Sequence, residues 1–321
     1  MTSIVFVAGL AWKRLRRRDS GAAVAVLGLA VAAAVLAGVL AGVTIATDRS
    51  MALAIERIPA SERSVRAVWF VIPGDPSERL VALDREVDDA FAGIGLDGPT
   101  PIVLFREGTV AGEFVGITAI EGVPEHVILR SGRLPRTCTA ARCEVLRLRG
   151  RGALPNAPGL RLVQVGTATL RSRQLFGDFL LENDAAVPDA TVPPELGETS
   201  EYHRPPPPPL VVAEGRGALD ASPLRARTYR TYAWVWPVRP GAPRLWDVDA
   251  LVARTERARV ELTERSTSFA VEAPVEELRE AERSANVAGT RLLLVGGEGA
   301  ALLLAFTILA ARGMRRDLEA T

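Results

Sequence analysis

The chain has 321 residues, of which 48% are hydrophobic and 24% charged, and its net charge is +1. So even a balance excludes the strongly basic surface of a nucleic-acid binder. With only two cysteines and two histidines, neither histidine near the cysteines, it also lacks the ligand set of a Cys/His zinc site.

Residues Ile4 to Trp12 are apolar and run directly into a basic cluster, Lys13, Arg14, Arg16, Arg17 and Arg18. The segment 1–19 is too short and too charged to span a bilayer and reads as an interfacial helix on the inner leaflet, with a frayed terminus as the alternative. Ser20 to Thr47 then carries no charged residue. About twenty apolar residues cross a bilayer core, so 20–47 is long enough for a first transmembrane helix. A cleavable signal peptide is the competing reading, but its apolar region would be only about 7–15 residues long. Within this run Gly38 and Gly42 form a GxxxG spacing, which lets two helices approach closely in lipid.

The stretch 48–290 is long enough to hold a cored domain. Val65–Ile72 reads as a buried strand, the spacing of Leu80, Leu83, Val87 and Phe91 as a helix, and Thr100–Arg106 as a second strand. Gly93, Gly95 and Gly98 match GxGxxG, but they follow a helix and precede a strand, the reverse of a dinucleotide site; they read as a helix stop and turn. Short strands are expected at Val110–Ile120, Cys143–Leu148, Leu160–Leu170 and Leu210–Ala213. Pro205 to Pro209 is a polyproline run, read as a stiff spacer or a ligand for an aromatic groove. His126 and His203 have no partner ligands near them in sequence and read as surface or turn residues.

A second strand–helix–strand pattern follows. It comprises Thr231–Val238, a helix through Val248, Leu251, Val252, Ala258 and Leu262, and a strand at Ser268–Ala273. Tyr232, Trp234 and Trp236 fall on one face, read as core, with ligand binding the alternative. Two such units, about 64–120 and 231–273, around a β-rich insertion at about 121–230, predict a split, ferredoxin-like α/β layer. The stretch 274–290 continues at helical spacing into a second apolar run, 291–311, making a stalk. Glu298 interrupts that run: an intramembrane carboxylate is functional by default, yet this one can also snorkel outward or face a helix contact among Gly296, Gly297 and Gly299. The tail 312–321 carries Arg312, Arg315 and Arg316.

Basic residues beside a span stay on the cytoplasmic side, so both termini are expected inside and the large middle outside, in a two-span protein of the cell membrane. Cys138 and Cys143 then read as a local disulfide in an oxidising compartment, with two buried free thiols as the alternative. No GxxxxGK[ST] loop, GxSxG elbow, HExxH helix or paired-carboxylate cluster occurs, so neither catalysis nor a cofactor is expected.

This layout resembles the FtsX-like permeases, the MacB-type membrane subunits of ABC transporters. Ser131-Gly-Arg-Leu-Pro135 followed by Cys143-Glu-Val-Leu-Arg-Leu148 resembles the "GR-x-P … EV" passage of their periplasmic core domain. GLRLVQVGTATL and the second-span stretch are similar to actinobacterial members, in keeping with a chain whose only lysine is Lys13. The resemblance implies an α+β membrane protein. Two transmembrane helices with stalk extensions would flank an extracytoplasmic, porter-like α/β domain that carries an inserted β-rich subdomain. It also implies a cytoplasmic ABC ATPase as partner, a homodimer or a complementary C-terminal permease half, and contact with membrane lipids. Such permeases have four spans, so this chain corresponds to the N-terminal half. The competing expectation is a stand-alone two-span sensor or scaffold; an anchored extracytoplasmic enzyme is a third, weakened by the missing catalytic constellation.

Overall fold

A computed structural model describes residues 20–72, 80–110, 113–139, 141–150, 154, 160–176, 209–226 and 228–319. They divide into two compact units. One is built from the two long helices, and the other covers Ile55–Arg279.

Helix α1 runs Ser20–Arg57 and helix α6 runs Val275–Glu319, each without a break. Between them the order is β1 (Ser64–Val71), α2 (Leu80–Ala90), β2 (Thr100–Val110), β3 (Glu113–Ile120), α3 (Val123–His126), β4 (Val127–Gly132), β5 (Arg142–Arg149), β6 (Arg161–Leu170), β7 (Leu210–Glu214), α4 (Arg216–Asp220), β8 (Arg230–Pro237), α5 (Val248–Arg265) and β9 (Phe269–Glu272). The fold is α+β with one nine-stranded sheet, in the order β4-β6-β5-β7-β3-β2-β8-β1-β9.

The two strand–helix–strand segments interleave. β8 lies between β1 and β2, and β1 between β8 and β9, all antiparallel to their neighbours. Parallel strands therefore flank an antiparallel one, which is the split βαβ arrangement. β1 and β8 sit inside this layer and read SVRAVWFV and RTYAWVWP, almost wholly buried. Directly paired residues share a face, so Ala67, Trp69, Tyr232, Trp234 and Phe269 point the same way. Trp69 and Phe269 meet edge to face at 4.4 Å, and Phe91, just after α2, lies 4.3 Å from Trp236. The aromatic row is core, and α2 and α5 pack against one another.

The inserted strands do not form a sheet of their own. β3 pairs with β2, β7 joins β3 in parallel, and β5, β6 and β4 extend the same sheet. Ile102, Ile120, Val127, Leu146, Ala168, Val212 and Val235 share one apolar cluster with Val123, Leu175 and Phe176. Each strand from β2 to β8 thus gives it one buried residue, so the sheet curls around it. Among the expected strands, 143–148, 160–170 and 210–213 occur within a residue or two, while β2 reaches Val110 and β3 starts only at Glu113. β4, α3 and α4 were not expected. The segment Ile4–Trp12, the basic cluster Lys13 to Arg18, His203 and most of the polyproline run lie outside the described residues.

Candidate functional site

The two long helices are apolar enough to span a membrane: mean hydropathy reaches 2.4 in Leu27–Arg57 and 2.1 in Val275–Leu309. Only 6% and 0% of those windows are buried, which is not how the core helix of a soluble protein behaves. Leu27, Leu29, Val295, Leu302 and Phe306 are all exposed.

They pair through glycine. A Cβ on Gly28 would collide with Thr307, one on Gly296 would lie 2.5 Å from Val39, and one on Gly289 would lie 2.7 Å from Thr47. At Gly42 the approach is an ordinary contact, 3.5 Å to Leu292. Each advance along α1 is matched by a retreat along α6 of the same length to within two residues, the register of an antiparallel pair. Gly289 and Gly296 are seven residues apart and Gly296 and Thr307 eleven, two and three helical turns, so all three fall on one face. Close approach of this kind is what associates helices where lipid supplies no hydrophobic drive. The hydroxyls on this unit bond back within their own helices: Thr44 to the Ala41 carbonyl, Thr47 to Val43, Thr307 to Leu303. Gly38, Gly297 and Gly299 meet nothing within 4 Å, and Glu298 is exposed beside them. Of the expected packing glycines, Gly42 and Gly296 are therefore used in this pair, and Gly38, Gly297 and Gly299 are not. Gly289 carries a contact that sequence reasoning missed; its sevenfold spacing from Gly296 was the available signal. Arg312, Arg315 and Arg316 lie in the last turns of α6.

In the sheet unit, the buried arginines Arg66, Arg216 and Arg230 each have polar partners. Arg216 on α4 donates to both oxygens of Asp84 on α2, at 3.0 and 3.2 Å, and Asp84 also accepts the Trp234 indole N–H at 2.7 Å. The Glu121 carboxylate accepts the Arg216 backbone N–H at 2.9 Å and lies 3.6 Å from its Nε. Burial, then the nearby Asp84 charge, raises the pKa of Asp88. On β8, Arg230 donates to the Tyr232 hydroxyl at 3.0 Å, and that hydroxyl donates to Asp220. Burial and the bond to Asp220 push the Tyr232 pKa well above its usual value. Arg66 on β1 donates to the carbonyls of Ser61 and Gln174. Buried arginines held by more exposed carboxylates and by carbonyls in this way brace the helices on the sheet.

The passage 131–148 is a second brace. Arg133 holds Glu144 in a two-pronged pair at 2.8 and 2.6 Å, and the same carboxylate accepts the Arg136 N–H at 2.9 Å. Those bonds, the Arg133 guanidinium first, hold the Glu144 pKa down at about 2. Gly132, with φ +77°, packs so closely on the Val165 carbonyl that a side chain there would collide. Glycine, arginine and glutamate thus lock β4 against β5 and β6. Beside them Cys138 and Cys143 form a disulfide, across an isolated antiparallel bridge. Gly93 and Gly95 have φ of 75° and 78°, as a turn requires. Glu214 caps α3, accepting the N–H groups of Gly122 and Val123 at 2.9 Å each. His126, at the end of α3, is half-buried, and that burial lowers its pKa. Among the described residues no group of three or more His, Cys, Asp or Glu could hold a metal ion. No protein-family model and no curated protein matches the chain.

Proposed function

We propose that the chain is a membrane subunit, or the N-terminal half of one, of an ABC transporter of the FtsX/MacB type. It couples ATP hydrolysis by a separate cytoplasmic ATPase to movement of an extracytoplasmic domain, for export, lipid or lipoprotein extraction, or activation of a cell-wall hydrolase. The observation that carries this reading is the pair of uninterrupted helices. At about 1.5 Å per residue, the 31 and 35 residues of these two helical stretches, each with an apolar window, exceed a hydrocarbon core of about 30 Å. A helix longer than its membrane is a rigid lever between a cytoplasmic motor and a domain outside. The split βαβ layer and the Arg133–Glu144 brace in the passage that resembles the MacB core support the same reading. In this picture both termini are cytoplasmic, the sheet domain is outside, and the Cys138–Cys143 disulfide fits the oxidising side.

Two measurements test it. In intact cells an impermeant thiol reagent should label Cys138 and Cys143 only after an impermeant reductant; labelling only after lysis would place the domain inside and overturn the topology. The chain reconstituted with an ABC ATPase encoded beside it should raise that ATPase's turnover several-fold. With neither complex nor stimulation, a two-span sensor or scaffold becomes the better account.

A further inference from the structure

A cleft of about 530 Å³ opens at one end of the sheet, where β2 and β4 begin and β3, β6 and β8 end. That volume suits a small ligand. Most of its polar lining is already engaged. Arg239 pairs with Asp97 at 3.1 Å, the Ser172 hydroxyl donates to the Gln174 amide oxygen at 3.2 Å, and Gln174 donates to the Arg63 carbonyl at 2.9 Å. Three groups are different. The guanidinium of Arg171, the carboxylate of Glu125 and the imidazole of His126 line the same cleft and make no hydrogen bond or ion pair among the described residues. Yet the backbone ties them together, since the Arg171 N–H donates to the His126 carbonyl at 2.8 Å. Two backbone segments that hydrogen-bond to each other thus bring an arginine and a glutamate to one cleft, unpaired among the described residues. Pro101, Pro237 and Leu175 supply rigid apolar walls.

We infer that this cleft binds a compact zwitterion, a primary ammonium a few bonds from a carboxylate or phosphate. Glu125 receives the ammonium, Arg171 receives the anion, and the His126 imidazole hydrogen-bonds beside them. Such a ligand has two sources: a free amino acid or short peptide, or the headgroup of an aminophospholipid. The site belongs to the sheet unit alone, so it stands or falls independently of the transporter reading.

The test uses the full chain in detergent, titrated by calorimetry with glycylglycine and with phosphoethanolamine, and with ethylamine, acetate and methyl phosphate as half-ligands. At least one zwitterion should bind at least tenfold more tightly than either of its halves. Arg171→Gln and Glu125→Gln should each weaken it at least tenfold while leaving the thermal transition in place, both side chains lying at the surface. Preference for glycylglycine identifies a free source. Preference for phosphoethanolamine, weakened in nanodiscs containing phosphatidylethanolamine but not in phosphatidylcholine alone, identifies a headgroup. No binding, equal binding by a half-ligand, or unchanged binding by both variants overturns the proposal.

Discussion

The helix pair and the sheet unit solve the same problem, close packing of backbone on backbone, with opposite residues. α1 and α6 approach where side chains are missing, at Gly28, Gly289 and Gly296, and leave their leucines facing outward. The sheet unit fills its interior with the largest side chains available, Trp234, Tyr232, Phe105 and even Arg230 and Arg216. On the proposed membrane reading, the difference follows from the surroundings of each. In water, burial of apolar area drives packing, at about 25 cal/mol per Å². Between helices in lipid that drive is absent, and only close contact remains. Buried polarity follows the same division: the sheet unit brings in arginine and meets it with carboxylates, carbonyls and a tyrosine hydroxyl, whereas the pair's face holds hydroxyls that bond to their own backbone.

The comparison can be broken most strongly through Arg216. Removing its bidentate partner by Asp84→Leu leaves the buried guanidinium only the Glu121 carboxylate 3.6 Å away and should destabilise the sheet unit by about 2–3 kcal/mol. Urea unfolding followed by fluorescence reads this, since Trp69, Trp234, Trp236 and Trp246 all lie in that unit. Combining it with Arg216→Met should recover part of the loss, because the buried charge goes too. In the helix pair the equivalent insult is bulk. Gly296→Leu should cost about 1–3 kcal/mol of packing. It should also cut oxidative cross-linking between Gly42→Cys and Leu292→Cys at least fivefold in a cysteine-free background, while Gly297→Leu, on an open face, should not. Equal effects would show that the register of the pair is not the one described.

Next in size is the disulfide. Cys138→Ala with Cys143→Ala opens a loop of only a few residues, so about 2 kcal/mol is expected, read as a lower urea midpoint with the slope unchanged. The pH dependence sharpens the role of Glu144. Its pKa falls from 4.5 to about 2 on folding, so the unfolded chain binds more protons between those values. The stability it supplies is complete above pH 4.5 and is lost as pH falls toward 2. Glu144→Gln should flatten that part of the profile. His126 acts in the same sense, because its folded pKa is also lowered, and its share fades below pH 6.5. Smallest of all, Arg239→Ala breaks a pair with both partners about two-thirds exposed and should change stability by only a few tenths of a kcal/mol.

Long apolar or periodic stretches were legible as elements. VRAVWFV and TYAWVWPV announce buried strands, and the spacing through Leu251, Ala258 and Leu262 announces α5. The two strand–helix–strand units could be read because each is local. β4 could not: VILRSG is short, lies at the sheet edge and has five of its six residues exposed, so no alternation marks it. α3 was hidden by Pro124, which stands in its first turn where a proline's missing N–H does no harm. The GxxxG spacing pointed to the right helix, but only one of its two glycines faces α6.

The sequence by itself determined which segments are apolar enough to span a membrane, the order of the longer strands and helices, and a cysteine pair close enough to bridge. Those are properties of runs and spacings within a few residues, set by hydrophobicity and backbone preference. Only the tertiary structure decided that β3 to β7 continue the main sheet, that Arg216 reaches Asp84 across 132 positions, and which face of α1 meets α6. Such choices depend on partners far apart in the chain. A residue's spacing from its neighbours carries no record of what the fold will bring against it.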